Sequence, residues 1–117
     1  MKYQSNRKGG TNCMQQQISD RIEQVMPVDV AKRLQRGDRL KIIDVREEFE
    51  VLEGMIEGAI HVPIGDLLER YHEWKQEEEL IFVCRSGRRS LAACQVLKIA
   101  GYHNVKNLAG GMLAYGQ

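Results

Sequence analysis

Short β-rich runs recur along this chain, each pair separated by enough residues for one helix. Ile22–Met26 reads as a first strand, Leu40–Val45 as a second, Ala59–Val62 as a third, Leu80-Ile81-Phe82-Val83 as a fourth and Val105–Leu108 as a last. None is long enough for a buried helix, and Val, Ile and Phe favour a pleated surface. Between them lie helical signals. Pro27 suits a helix start, Val28, Ala31 and Leu34 share a helical face, and Gly37 stops it. Glu47-Glu48-Phe49-Glu50 puts carboxylates where a helix N-terminus welcomes them, with Gly54 as the stop. Pro63 closes the third strand, and Ile64, Leu67, Leu68 and Tyr71 mark one face of a further helix. Ser90–Ala100 is the clearest helix, with Gly101 placed as its C′ residue. Strands alternating with helices imply an α/β domain whose mainly parallel sheet is flanked by helices on both faces.

A chain of 117 residues holds one such domain. The polar, Gly- and Gln-rich stretch 1–17 has no hydrophobic period. It is expected to be a disordered extension, a cloning remnant or an upstream start before Met14, leaving residues 18–117 as the domain. No apolar run approaches the roughly 18–20 residues of a membrane helix, and no secretory signal is visible, so the cytoplasm is the expected location. Lys2, Arg7 and Lys8 give the extension +3, which leaves the rest at −2. A slightly acidic domain has no general attraction for nucleic acid or anionic membranes. Cys13, Cys84 and Cys94 form no C-x-x-C, and His61, His72 and His103 show no ligand spacing. A metal site is therefore not expected.

Against that mildly acidic background, Cys84-Arg85-Ser86-Gly87-Arg88-Arg89 stands out. It joins the fourth strand to the helix at Ser90, at the carboxyl edge where open α/β sheets bind ligands. A thiol reacts as its thiolate, and an ordinary cysteine with pKa ~8.5 is mostly protonated at neutral pH. Successive backbone N–H groups before a helix N-terminus favour the anion. Three guanidinium groups add positive charge, and Gly87 permits backbone angles that a side chain resists. The alternative reading of Cys84 is a buried core cysteine at a strand end. The arginines and Gly87 favour a nucleophile, because a core position requires neither. Arg89, at the helix start, is better placed to face the loop than Arg88, which reads equally as a solvated surface residue. Cys94, among Ala92, Ala93, Val96 and Leu97, reads as packed and inert, and Cys13 as incidental. Asp44 with Arg46 reads as a salt bridge or loop brace, His61 as a structural histidine, and Glu77-Glu78-Glu79 as a solvated turn.

Four ordered segments resemble the rhodanese family. Cys84-Arg85-Ser86-Gly87-Arg88-Arg89-Ser90 is similar to its C-R-x-G-x-R-S signature, and Asp44-Val45-Arg46-Glu47 to its D-x-R-E. Gly58-Ala59-Ile60-His61-Val62-Pro63 is similar to G-A-x-x-x-P, and Gly101-Tyr102 with Leu108-Ala109-Gly110-Gly111 to its C-terminal pattern. The resemblance spans residue 18 onward. It implies transfer of sulfane sulfur from a small anionic donor such as thiosulfate to cyanide or a thiol, through a persulfide on Cys84. The amides of Arg85 through Arg89 would hold the outer sulfur, and Arg85 and Arg89 would attract the donor, with no cofactor. Two departures stand in the sequence: Gly54-Met55-Ile56 where members often carry G-H-I, and Met112-Leu113-Ala114-Tyr115 where G-G is often followed by W-x-x-W.

Competing readings are a cysteine phosphatase, a non-catalytic interaction module, and a persulfide shuttle whose acceptor is another protein. Phosphatases resemble C-x5-R, whereas Cys84 to Arg89 is C-x4-R, a smaller cradle suited to one sulfur atom. The intact loop argues against a silent module. A lone monomeric domain is expected to have an open site that admits bulky acceptors and to turn over small donors modestly. The transfer reading requires amide hydrogens turned toward the sulfur and a route from solvent to the thiol.

Overall fold

The computed structural model describes residues 22–116. The extension expected over residues 1–17, and Cys13 within it, therefore lie outside the described residues. Five parallel strands form one sheet in the order β1-β5-β4-β2-β3. They are β1 (Glu23–Val25), β2 (Ile42–Asp44), β3 (Ile60–His61), β4 (Leu80–Val83) and β5 (Val105–Leu108). The helices are α1 (Pro27–Gln35), α2 (Glu48–Val51), α3 (Leu67–Arg70), α4 (Arg88–Ile99) and α5 (Gly111–Tyr115).

Every residue of β2 and β4 is buried. Central parallel strands covered on both faces read as continuous apolar runs, which is why Leu80–Val83 lacks alternation. Alternate residues still serve different layers. Ile43, Leu80 and Phe82 join Ala93, Cys94 and Leu97 of α4 with Leu67 and Trp74 on one face. Ile42, Ile81 and Val83 join Val30 of α1, with Met112 and Tyr115 of α5, on the other. Helices thus cover both faces, and β4, at the centre, delivers its C-terminal end to the loop that begins with Cys84.

Three sequence expectations are corrected. The core contact of α1 is Val30, while Val28 is 57% exposed, so the buried stripe runs through Val30 and Leu34. The helix expected around Ile64–Tyr71 is split into a 3₁₀ turn (Ile64–Asp66), the short α3 and a second 3₁₀ turn (Tyr71–Glu73), which leaves Leu68 exposed. Two of the three glutamates at 77–79 are not simply solvated. Glu79 accepts from Arg33 at 2.7 Å and from Lys106 at 2.6 Å, and Glu78 pairs with Lys41 at 2.8 Å. They tie α1, β5 and the segment before β2 to the entrance of β4, charges that periodicity alone does not pair.

Candidate active site

The Cys84 loop is held from three sides. Gly87, at φ +99°, caps the N-terminus of α4 in the left-handed region. The N-terminus of α5 lies against the loop's backbone: Met112 N donates to Cys84 O at 2.9 Å and Leu113 N to Arg85 O at 3.0 Å. This close approach requires Gly111, because a Cβ there would stand 2.4 Å from Cys84 O. The Gly110-Gly111 pair, noted in the sequence only as pattern, thus shapes the loop.

On the inside, donors converge on Cys84 Sγ. Gly87 N lies at 3.0 Å and Ser90 N at 3.4 Å, both aimed at the sulfur. Ser90 Oγ is 3.3 Å from Sγ and also contacts Asn107 Oδ1. Burial pushes the Cys84 pKa up, while the backbone N–H groups of Ser90, Gly87 and Ser86 pull it back down. Cys94, by contrast, is pushed up to about 12, chiefly by burial, which the nearby Lys98 charge only partly offsets. One thiol is prepared for ionisation and the other is not.

The side chains of the loop divide differently. Arg85, Ser86 and Arg88 are exposed, and Gly87 is buried. Arg89 is committed elsewhere: its two terminal nitrogens grip the Glu50 carboxylate at 2.8 Å each. That pair raises the Arg89 pKa and holds Glu50 down to about 2, the Arg89 hydrogen bond being the largest cause. Arg89 therefore braces α4 to α2, and much of the charge expected to attract a donor is balanced within the protein. Arg46 is buried and bidentate on Asp44, at 2.9 and 2.8 Å, and donates to Gly54 O at 2.7 Å. His61 Nε2 sits 2.7 Å from Arg46 O, a structural position. Ser90 and Asn107, both buried, were missed by sequence reasoning. Ser90 ends the signature as quoted and could have been singled out; nothing in sequence marks Asn107, 17 residues further on.

A cleft of about 430 Å³ opens beside the loop, lined by Arg46, Phe49, Glu50, Gly54, Arg85 and Met112 among others. Cys84 itself has no exposed surface and does not line the cleft. The expected open route to the thiol is absent from this conformation.

A parallel α/β sheet carrying a cysteine in an amide-lined loop before a helix defines a class of thiolate-dependent proteins. Residues 26–117 match the rhodanese-like domain family, and the chain belongs to that family. It is 37% identical over 94 residues to a putative sulfurtransferase of Bacillus subtilis, an alignment covering 80% of this chain and 90% of that protein. It is 30% identical over 93 residues to the human thiosulfate:glutathione sulfurtransferase, covering 68% and 81%. A rhodanese-like domain protein from Staphylococcus aureus superposes with a TM-score of 0.76 at 25% identity, covering 82% of this chain and 93% of that one. Sulfur transfer is thus the activity named among its relatives.

Proposed function

We propose that this protein is a sulfurtransferase that moves sulfane sulfur from thiosulfate or a persulfide donor to cyanide or a thiol, through a persulfide on Cys84. The observation that carries the reading is the convergence of Gly87 N and Ser90 N on a single sulfur. In the first step the Cys84 thiolate attacks the outer sulfur of the donor. A new S–S bond forms, the donor's S–S bond breaks, and its electron pair leaves with sulfite from thiosulfate or with the donor thiolate from a persulfide. In the second step the acceptor's electron pair bonds to that outer sulfur, and the Cys84 thiolate is released. The amides that favour the bare anion also favour the persulfide anion, so one loop serves both states.

Arg85, exposed on the cleft wall, is the cation best placed to meet the donor, with Ser86 and Arg88 beside it on the loop. Arg89 contributes through position rather than as a free charge. Exposed Phe49 and half-buried Met112 give the same cleft an apolar side that suits an acceptor larger than cyanide. A soluble cytoplasmic monomer is the setting this chemistry fits. Among the described residues no helix is long and apolar enough to cross a membrane.

The test is thiocyanate formation from thiosulfate and cyanide. Cys84→Ser abolishes it, and Cys94→Ser retains most of it. Turnover surviving in Cys84→Ser overturns the reading.

A further inference from the structure

The contact between Ser90 and Asn107 raises a question of proton placement that hydrogen-bond geometry answers. Ser90 Oγ faces two neighbours, Cys84 Sγ and Asn107 Oδ1, but a hydroxyl carries one proton and donates to one of them at a time. Asn107 settles which. Its other amide atom lies 3.1 Å from Gly87 O and 3.1 Å from Gln24 Oε1. Gly87 O only accepts, so the Asn107 NH₂ group must point there, and Oδ1 must point at Ser90. Oδ1 in turn only accepts. The Ser90 proton therefore lies on the bond to Asn107, and the hydroxyl presents a lone pair to Cys84.

We propose that Asn107 is a positioning residue that turns the Ser90 hydroxyl proton away from Cys84, so that the resting sulfur is held closer to its protonated form than the surrounding amides alone would hold it. As a thiol, Cys84 donates to Ser90 Oγ. As a bare thiolate, it meets a lone pair unless the hydroxyl rotates, which strands the buried Asn107 Oδ1. Asn107 is 3% exposed and Ser90 0%, so water does not relieve that loss. In the persulfide state proposed above Sγ is uncharged and needs no donor from Ser90. The network thus suits the thiol and the loaded enzyme and opposes only the bare anion. This inference rests on Cys84 being the reactive sulfur.

The experiment is a pH series of iodoacetamide alkylation on the full chain, read by mass spectrometry on the Cys84 peptide. The other charged or titratable groups around Cys84 are Arg85, Arg88, Arg89 with Glu50, and Cys94, and all stay in place in every variant. Asn107→Leu keeps the size of the side chain, removes the acceptor and frees the hydroxyl to turn to the sulfur. The Cys84 titration then falls by about one unit, the scale of a charge-assisted hydrogen bond. Ser90→Ala removes the hydroxyl altogether, and the titration stays put or falls slightly. The double variant matches Ser90→Ala. If Ser90 instead donates to the sulfur in the native protein, Ser90→Ala raises the titration by a similar amount and Asn107→Leu does not lower it. Either of these results overturns the proposal. Ser90→Ala, a one-atom deletion, keeps the test decisive if Asn107→Leu does not fold. No sulfur donor enters the assay, so a failure of sulfur transfer is seen separately, as absent thiocyanate formation by the native protein.

Discussion

Gly111→Ala isolates the structural demand made by the Cys84 loop. The added Cβ would stand 2.4 Å from Cys84 O, 2.5 Å from Arg85 O and 2.6 Å from the Arg85 carbonyl carbon. All three are backbone atoms and cannot swing aside, so α5 or the loop must retreat by about 1 Å to reach ordinary van der Waals contact. That movement breaks the bonds from Met112 N and Leu113 N to the same carbonyls, at ~1 kcal/mol each. Gly111 also sits at φ +60°, where an L side chain costs ~1–2 kcal/mol. The total, about 3–4 kcal/mol, is a large part of the ~5–15 kcal/mol that holds a domain of this size folded. It corresponds to a fall in Tm of roughly 15–25 °C. Gly37→Ala is the matched control: φ is +93° there, but nothing lies within 4 Å of the added carbon, so only the backbone strain remains. Denaturant titrations followed by far-UV circular dichroism measure both variants. If Gly111→Ala is no less stable than Gly37→Ala, α5 does not clamp the loop as described.

Other expectations follow from individual contacts. The Glu50 and Glu79 carboxylates have folded pKa values near 2, each held down first by an arginine hydrogen bond, against 4.5 when free. Unfolding therefore binds protons between these values. Their stabilisation is complete above about pH 4.5 and is lost as pH falls toward 2, so urea midpoints of the native protein decline across that window. The decline is shallower in Glu50→Gln; an unchanged slope would show that the Arg89 pair contributes nothing. Tyr102→Phe removes the hydroxyl that reaches Trp74 O at 2.7 Å and Tyr71 O at 2.9 Å, and costs ~1 kcal/mol in the same titration. Alkylation of Cys84 in the native protein has a midpoint well below that of Cys94, whose thiol burial pushes up to about 12, so Cys94 stays unmodified across neutral pH. Equal reactivity of the two thiols would contradict their assigned environments.

The strand order of the sheet is not written in any one segment, but the alternation that implies it is. Leu80–Val83 reads as a buried strand because four apolar residues cannot make a helix, and Cys84–Arg89 reads as an anion loop because charge and Gly87 follow directly. Both are local patterns. What sequence left hidden depends on partners far along the chain. Glu50 claims Arg89 across 39 positions, and Glu79 joins Arg33 and Lys106. Asn107 reaches Ser90 from the neighbouring strand, and no periodicity marks such a polar pair. Val28 was misplaced because the series Val28, Ala31, Leu34, spaced by three, fits a helical stripe as well as Val30 and Leu34, spaced by four, do. The closed thiol was equally invisible, since exposure of a loop sulfur is set by how tightly α5 packs on it.

The central claim is that one sulfur atom, surrounded by backbone amides, carries the transferred atom. Incubation of the native protein with thiosulfate, followed by peptide mass spectrometry under non-reducing conditions, measures this directly. The account expects a single added sulfur on the peptide containing Cys84, removed again by cyanide. Sulfur found on Cys94 or Cys13, or on no cysteine, would contradict it.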